Sequence, residues 1–143
     1  MQNKIDHLIL LFGGLFLFFL DQFLKYLAYS KQNVFFVWNK LIGWEFYANK
    51  GIAFSLPFPN TILLIFTPII IFLLITYYLK TKNQNILLKI SLLLIILGAI
   101  SNFIDRIIFG ITIDYFRIFT IVINLADIMI VFGVLLLMFK NKK

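Results

Sequence analysis

The chain of 143 residues has no cysteine, one histidine, three prolines and six acidic residues. Without cysteine there is no disulfide framework, no thiolate nucleophile and no thiolate metal site. There is also no cysteine to carry a lipid, so the chain is not itself a lipoprotein. The one imidazole, His7, lies beside the first apolar run and leaves too few ligands for a typical zinc site, so neither a metal nor a cofactor is expected. Charge is scarce as well: 13% of the residues are charged, against roughly 25% in soluble domains.

What fills the chain instead is hydrocarbon. Hydrophobic residues make up 62% of it, the mean hydropathy is +1.01, and such a chain belongs in a bilayer. A crossing takes ~20 apolar helical residues, so the length suits about four crossings in one compact domain, residues 1–143. The formal net charge of +7 does not point to nucleic acid. Phosphate-binding bases cluster on a water-facing surface, whereas these lysines mostly flank apolar runs as headgroup anchors. The expected fold is therefore an all-α membrane protein of four transmembrane helices, at about 8–29, 61–79, 86–104 and 121–139.

The first run, 8–20, with Lys4 ahead and Ala28, Tyr29 and Ser30 behind, has the outline of a secretory signal. It continues past Asp21 through Phe23, Leu24, Tyr26 and Leu27 to full spanning length, so it is read as a retained helix carrying Asp21 and Lys25. Between Ser30 and Asn60 polar residues alternate with Phe35, Phe36, Trp38, Trp44 and Tyr47, which suits a strand pair or a short amphipathic piece at the interface. Pro59 and Asn60 announce the second helix. Pro68 inside it is tolerable in a membrane, where neighbouring helices satisfy the freed carbonyl. The segment 80–85 reads as a polar turn, Lys89 as a snorkelling residue and 105–120 as a second short loop. The last helix has two possible starts: at Ile118, or after Asn124 as N-cap with Asp127 as its third residue.

Four crossings put both termini on one side, with Lys4, Lys80, Lys82, Lys89, Lys140, Lys142 and Lys143. Opposite lie Lys25, Lys31, Lys40, Lys50, Arg106 and Arg117. The tighter clustering of the first group near helix ends places the termini in the cytoplasm. All acids except Asp6 then fall on the other side. An ionisable group at membrane depth costs at least ~2.5 kcal/mol and is a functional-site hypothesis by default.

Bland readings exist for two groups of these residues. Asp21 and Lys25, four apart with the acid first, form a favourable helical ion pair. Asp105 and Arg106 follow Asn102 by one turn and could simply hold helix ends. Asp114 and Asp127 resist such a reading, one in the apolar segment 111–119 and the other among Leu125, Ala126, Ile128, Met129 and Ile130. Brought together, they would share a proton through like-charge repulsion. One could then take a proton from water while the other gives one to a carbonyl.

Five segments in order, 21–25, 49–55, 98–106, 110–116 and 124–127, resemble the motifs of the lipoprotein signal peptidases (signal peptidase II) over nearly the whole chain. That resemblance implies four membrane helices with a small extracytoplasmic β element. It implies an aspartic endopeptidase of the bacterial cytoplasmic (inner) membrane, with its active site near the extracytoplasmic face. The enzyme would cut before the lipidated cysteine of diacylglyceryl-modified prolipoproteins. Its partners would be those substrates and membrane lipids, and a monomer is expected. Asp114 and Asp127 would be catalytic; Asn49, Gly51, Asn102, Asp105, Arg106 and Asn124 would bind substrate and support the pair; Asp21 and Lys25 would help hold the site. Two departures stand out: Ser101 where the family often has glycine, with an expected effect on helix packing alone, and Ile52 at a position often small, which narrows the pocket. Two rivals remain, a serine–lysine peptidase using Ser55 or Ser101 and a small channel or transporter subunit.

Overall fold

The computed structural model describes residues 2–38, 41–51, 58–81 and 86–140. Ile52, Ser55 and the greater part of the turn at 80–85, on which three of the expectations above rest, lie outside these residues. The elements run α1 (Gln2–Lys31), β1 (Phe35–Trp38), β2 (Ile42–Asn49), α2 (Asn60–Lys80), α3 (Ile86–Phe109), β3 (Thr112–Ile118), β4 (Ile121–Ile123) and α4 (Leu125–Lys140).

Among the described residues three helices are long and apolar enough to cross a membrane, within Leu8–Lys31, Asn60–Lys80 and Ile86–Phe109. The fourth apolar helix, α4, has 16 residues, about 24 Å at 1.5 Å per residue. Helix α3 is the central one. Its Leu88, Leu92 and Ile96, spaced by one turn, pack against Leu74, Ile75 and Tyr78 of α2. Leu93 and Leu97 on the neighbouring stripe meet Met129 of α4 and Leu10, Leu17 and Phe18 of α1. The outward faces of α1 and α2 carry exposed Phe12, Phe16, Phe19, Ile65, Phe66 and Phe72, the apolar surface that a lipid solvent calls for. Gly98 brings α3 close to α4, since a Cβ there would stand 2.7 Å from the Ala126 carbonyl oxygen and 2.9 Å from Ile130 Cγ1.

Three expectations need correction. The apolar run breaks at Asp105, yet α3 continues to Phe109. Asp105 and Arg106 are buried among partners, so their charge does not expel the helix into a loop. The helix stops where Gly110 takes φ +71° and returns its N–H to the Arg106 carbonyl at 3.1 Å, a glycine C-terminal stop. Beyond it the expected loop is a β-hairpin, β3 and β4, and residues 121–123 belong to that strand pair rather than to the last helix. Lys89, in the first turn of α3, is buried with its ammonium 5.4 Å from the centre of the Tyr78 ring in the last turn of α2.

The expected strand pair is present as β1 and β2. It forms half of a four-stranded antiparallel sheet in the order β1-β2-β3-β4. Ile113 and Tyr115 of β3 pack on Ala28 of α1. Because side chains alternate along a strand, Thr112 and Asp114 face the other way.

Candidate active site

The site forms where α1, α3, the N-terminus of α4 and the sheet meet. Lys25, 1% exposed, lies at its centre. Its ammonium is 2.9 Å from Asp21 Oδ2 and 2.9 Å from Asp105 Oδ2, and it donates to Asn102 Oδ1 at 2.9 Å and Ser101 Oγ at 3.2 Å. The i,i+4 pair is thus one edge of a larger network. Asp105 also accepts the Ile113 N–H at 3.1 Å, which ties β3 to α3.

Asp21 and its neighbours set the start of α4. The first four N–H groups of a helix lack intrahelical partners, and three of them here meet side chains. Leu125 N–H donates to Tyr115 Oη at 2.9 Å, Ala126 N–H to Asp21 Oδ1 at 3.2 Å and Asp127 N–H to Asn124 Oδ1 at 2.8 Å. Asn124 is therefore the N-cap, and Asp127 stands in the first turn. Tyr115 in turn donates to Asp21 Oδ1 at 2.9 Å. Burial, and then the Asp21 charge, push the Tyr115 phenol well above its usual pKa, so it stays an O–H donor.

The two isolated acids are linked through amides. Asp114 accepts Asn124 Nδ2 on Oδ1 at 2.6 Å and Asn49 Nδ2 on Oδ2 at 2.9 Å. Asp127 Oδ1 accepts Asn102 Nδ2 at 2.8 Å, and Asn124 Nδ2 reaches Asn102 Oδ1 at 3.1 Å. Asp114 has no exposed surface. Its carboxyl is pushed up to about 7, first by burial and then by the Asp127 charge, against the opposing hydrogen bonds from Asn49 and Asn124. Arg117, three residues along β3, sits on the opposite strand face and pairs with Glu45. Arg106 reaches the Gly51 carbonyl oxygen at 3.4 Å, and Gly51 N–H donates to Asn49 Oδ1 at 2.9 Å. All ten residues singled out from the sequence thus join one connected cluster.

The sequence reading missed three members. Ser101 Oγ donates to Asp21 Oδ2 at 2.5 Å and accepts Gln22 Nε2 at 2.7 Å, so its hydroxyl is a site group and not only a packing feature. Gln22 and Tyr115 are the others. Ser101 had one available signal, its place one residue before Asn102. Tyr115 and Gln22 fall inside the matched segments 110–116 and 21–25, but nothing local gave either a partner, since Tyr115 meets Asp21 and Gln22 meets Ser101 across long stretches of chain. For Ser101 the serine–lysine rival finds no base among the described residues, because Ser101 donates to Asp21 and Lys25 is committed as a donor; Ser55 lies outside them.

Two apolar grooves end at Asp127. One, of about 350 Å³, runs between the β3–β4 hairpin and α4 along Ile118, Ile121, Ile123, Ile128 and Val131. The other, of about 250 Å³, runs between α2 and the α3–α4 pair, with Asn102, Arg106 and Asp127 at its polar end. Among the described residues no cluster of His, Cys, Asp and Glu converges as a metal ion would require.

Buried acids and amides thus gather where apolar helices meet the sheet. The fold matches a solved bacterial membrane enzyme with a TM-score of 0.83 and 26% identity, covering 94% of this chain and 92% of that one. The chain belongs to the signal peptidase II family, whose model matches residues 14–141, and is a membrane peptidase. It is 38% identical to the lipoprotein signal peptidase of Halothermothrix orenii, over 82% of this chain and 84% of that protein. It is 32% identical to that of Caldanaerobacter subterraneus subsp. tengcongensis, over 85% and 88%. The channel reading has no support in these relationships.

Proposed function

We propose that Asp114 and Asp127 are the catalytic pair of an aspartic endopeptidase that removes signal peptides from diacylglyceryl-modified prolipoproteins. The observation that carries this is the double amide bridge. Asn124 and Asn102 bond to each other, and between them they reach both carboxyls. Amides hold a carboxyl through neutral donors, so they position the acids without supplying a charge that would fix both as anions.

In this reading Asp114, whose pKa of about 7 keeps it partly protonated at neutrality, gives its proton to the oxygen of the scissile carbonyl. Asp127 takes a proton from the attacking water. The tetrahedral gem-diol collapses as Asp127 passes that proton to the leaving nitrogen and Asp114 takes one back from a gem-diol hydroxyl, which leaves a carboxylic acid and restores the pair. Arg106 and Gly51 lie beside the acids and would hold peptide groups of the substrate. The two apolar grooves at Asp127 give hydrocarbon a way to the same point.

The finer topology belongs to the same proposal. Helix α4 makes a fourth crossing, its 16 residues matched by local thinning of the bilayer. The termini are cytoplasmic, the site lies near the extracytoplasmic face of the bacterial inner membrane, and the enzyme works as a monomer within one domain. The test is cleavage of a diacylglyceryl-modified prolipoprotein by the purified chain in liposomes. Asp114→Asn and Asp127→Asn should each lower the rate by about 10²–10⁴-fold while the protein stays inserted and folded. Undiminished cleavage by either variant would sink the assignment.

A further inference from the structure

Among the described residues, Thr112 Oγ1 is one of two buried side-chain polar atoms with no hydrogen-bond partner. The residue is 1% exposed. Valine would fill nearly the same volume without the desolvation penalty that an unpaired buried hydroxyl carries, so the hydroxyl is a cost to the fold as it stands. An unsatisfied buried group of this kind calls for an explanation.

Its surroundings supply one. Thr112 opens β3 and pairs directly with Asn49 of β2, so the two side chains lie on the same face of the sheet. Asp114, two residues on, shares that face, and Asn49 Nδ2 donates to Asp114 Oδ2 at 2.9 Å. A cavity of about 870 Å³ adjoins this end of the sheet, lined by Asn49 and Gly51 on one side and by Gly110 and Ile111 on the other. The unpartnered hydroxyl therefore stands beside the acid proposed to protonate the scissile carbonyl. Neither Thr112 nor Asp114 lines that cavity, but Asn49, which pairs with the one and bonds the other, does, so a peptide seated there lies one residue from both.

We infer that Thr112 is a substrate-binding residue whose hydroxyl bonds a main-chain group of the substrate two residues from the scissile bond. Residues i and i+2 of a strand are about 6.6–6.8 Å apart, and an extended peptide has the same repeat. A substrate lying along β3 with its scissile carbonyl at Asp114 brings a main-chain group level with Thr112. Because the bond is to main chain, it holds substrates whatever side chain they carry there. The unpaired hydroxyl is then satisfied only in the complex.

This rests on the reading of Asp114 and Asp127 as the catalytic pair. The experiment compares the parent with Thr112→Val, Thr112→Ser and Asp114→Asn in liposomes, measuring kcat/KM on a diacylglyceryl-modified prolipoprotein and thermal unfolding of each protein without substrate. Thr112→Val should lower kcat/KM by about 3- to 10-fold, the effect of one net hydrogen bond, with an unfolding temperature equal to the parent's or higher. Thr112→Ser, which keeps a hydroxyl, should recover most of the lost kcat/KM. Unchanged kcat/KM in Thr112→Val, with Asp114→Asn inactive, would overturn the role of Thr112 alone. A lowered unfolding temperature in Thr112→Val would overturn it too, by showing that the hydroxyl serves the fold. Full activity in Asp114→Asn would instead remove the catalytic reading on which the inference stands.

Discussion

The side-chain amides of Asn102 and Asn124 meet at 3.1 Å, with Asn124 donating. Asn124 has two jobs that can be separated, capping α4 through its oxygen and holding Asp114 through its nitrogen. Asn124→Ala should lose both, with a cap cost of about 0.5–2 kcal/mol and a large fall in kcat. Serine caps helices but carries no amide. Asn124→Ser should therefore recover unfolding temperature without recovering kcat. If the two recover together, the bridge to Asp114 has no separate role.

Proton binding by Asp114 sets a pH dependence whose sign is fixed. Its pKa is about 7 in the folded protein against an ordinary 3.8, so between these values the folded state holds more protons than the unfolded one. Stability from this group is greatest at low pH, falls as pH rises through that window and levels off above about 7. The fall is on the order of 4 kcal/mol. Unfolding in detergent at pH 5 and pH 8 should show the loss in the parent and a smaller one in Asp114→Asn. An equal loss in both would place the titrating group elsewhere. Cleavage by the parent should also decline above pH about 7, as Asp114 gives up the proton it donates.

Lys25 pairs with two buried acids at once, Asp21 and Asp105. Lys25→Met keeps the length of the side chain and removes the cation, which leaves both acids without an ionic partner. Breaking a buried pair in this way costs about 3–5 kcal/mol. The expected result is poor accumulation of the folded protein, and part of the loss should return in Lys25→Met combined with Asp21→Asn. A stable single variant would show that the ion pairs are dispensable.

Tyr115 Oη donates a hydrogen bond to Asp21 and accepts one from the Leu125 N–H. Tyr115→Phe leaves the ring in its contact with Trp44, where the centroids are 4.9 Å apart, and removes only the hydroxyl. A buried N–H left unpaired costs about 1–3 kcal/mol, so the unfolding temperature should drop without loss of the sheet signal in circular dichroism. No drop would mean that water replaces the phenol.

Asp114 and Asp127 were legible in the sequence because each is an acid in an apolar stretch, where its cost demands a reason, whereas Asn49 and Gly51 stood out only through the resemblance to the signal peptidase II motifs. Asn124 announced itself through spacing, since Asp127 follows at the third helical position. The hairpin 112–123 was not legible. Its strands are buried at Thr112, Ile113, Asp114 and Tyr115 in succession, so the polar–apolar alternation that marks a half-buried strand is missing. The last turn of α3 was hidden for the opposite reason. Asp105 and Arg106 look like the end of a membrane helix until Lys25, from α1, is seen to meet Asp105. Ser101 and Tyr115 act on Asp21 across 80 and 94 residues of chain, and such contacts leave no local pattern.

Asp21 and the Ala126 N–H, 105 residues apart, are hydrogen-bonded, and this has a consequence for how the protein is made. The first helix enters the bilayer during synthesis carrying a carboxylate and an ammonium, while the groups that will complete their hydrogen bonding are still untranslated. Until α3 and α4 arrive, that helix has only its own i,i+4 pair for company. The bonding of Asp21 is therefore completed only once residue 126 has been made.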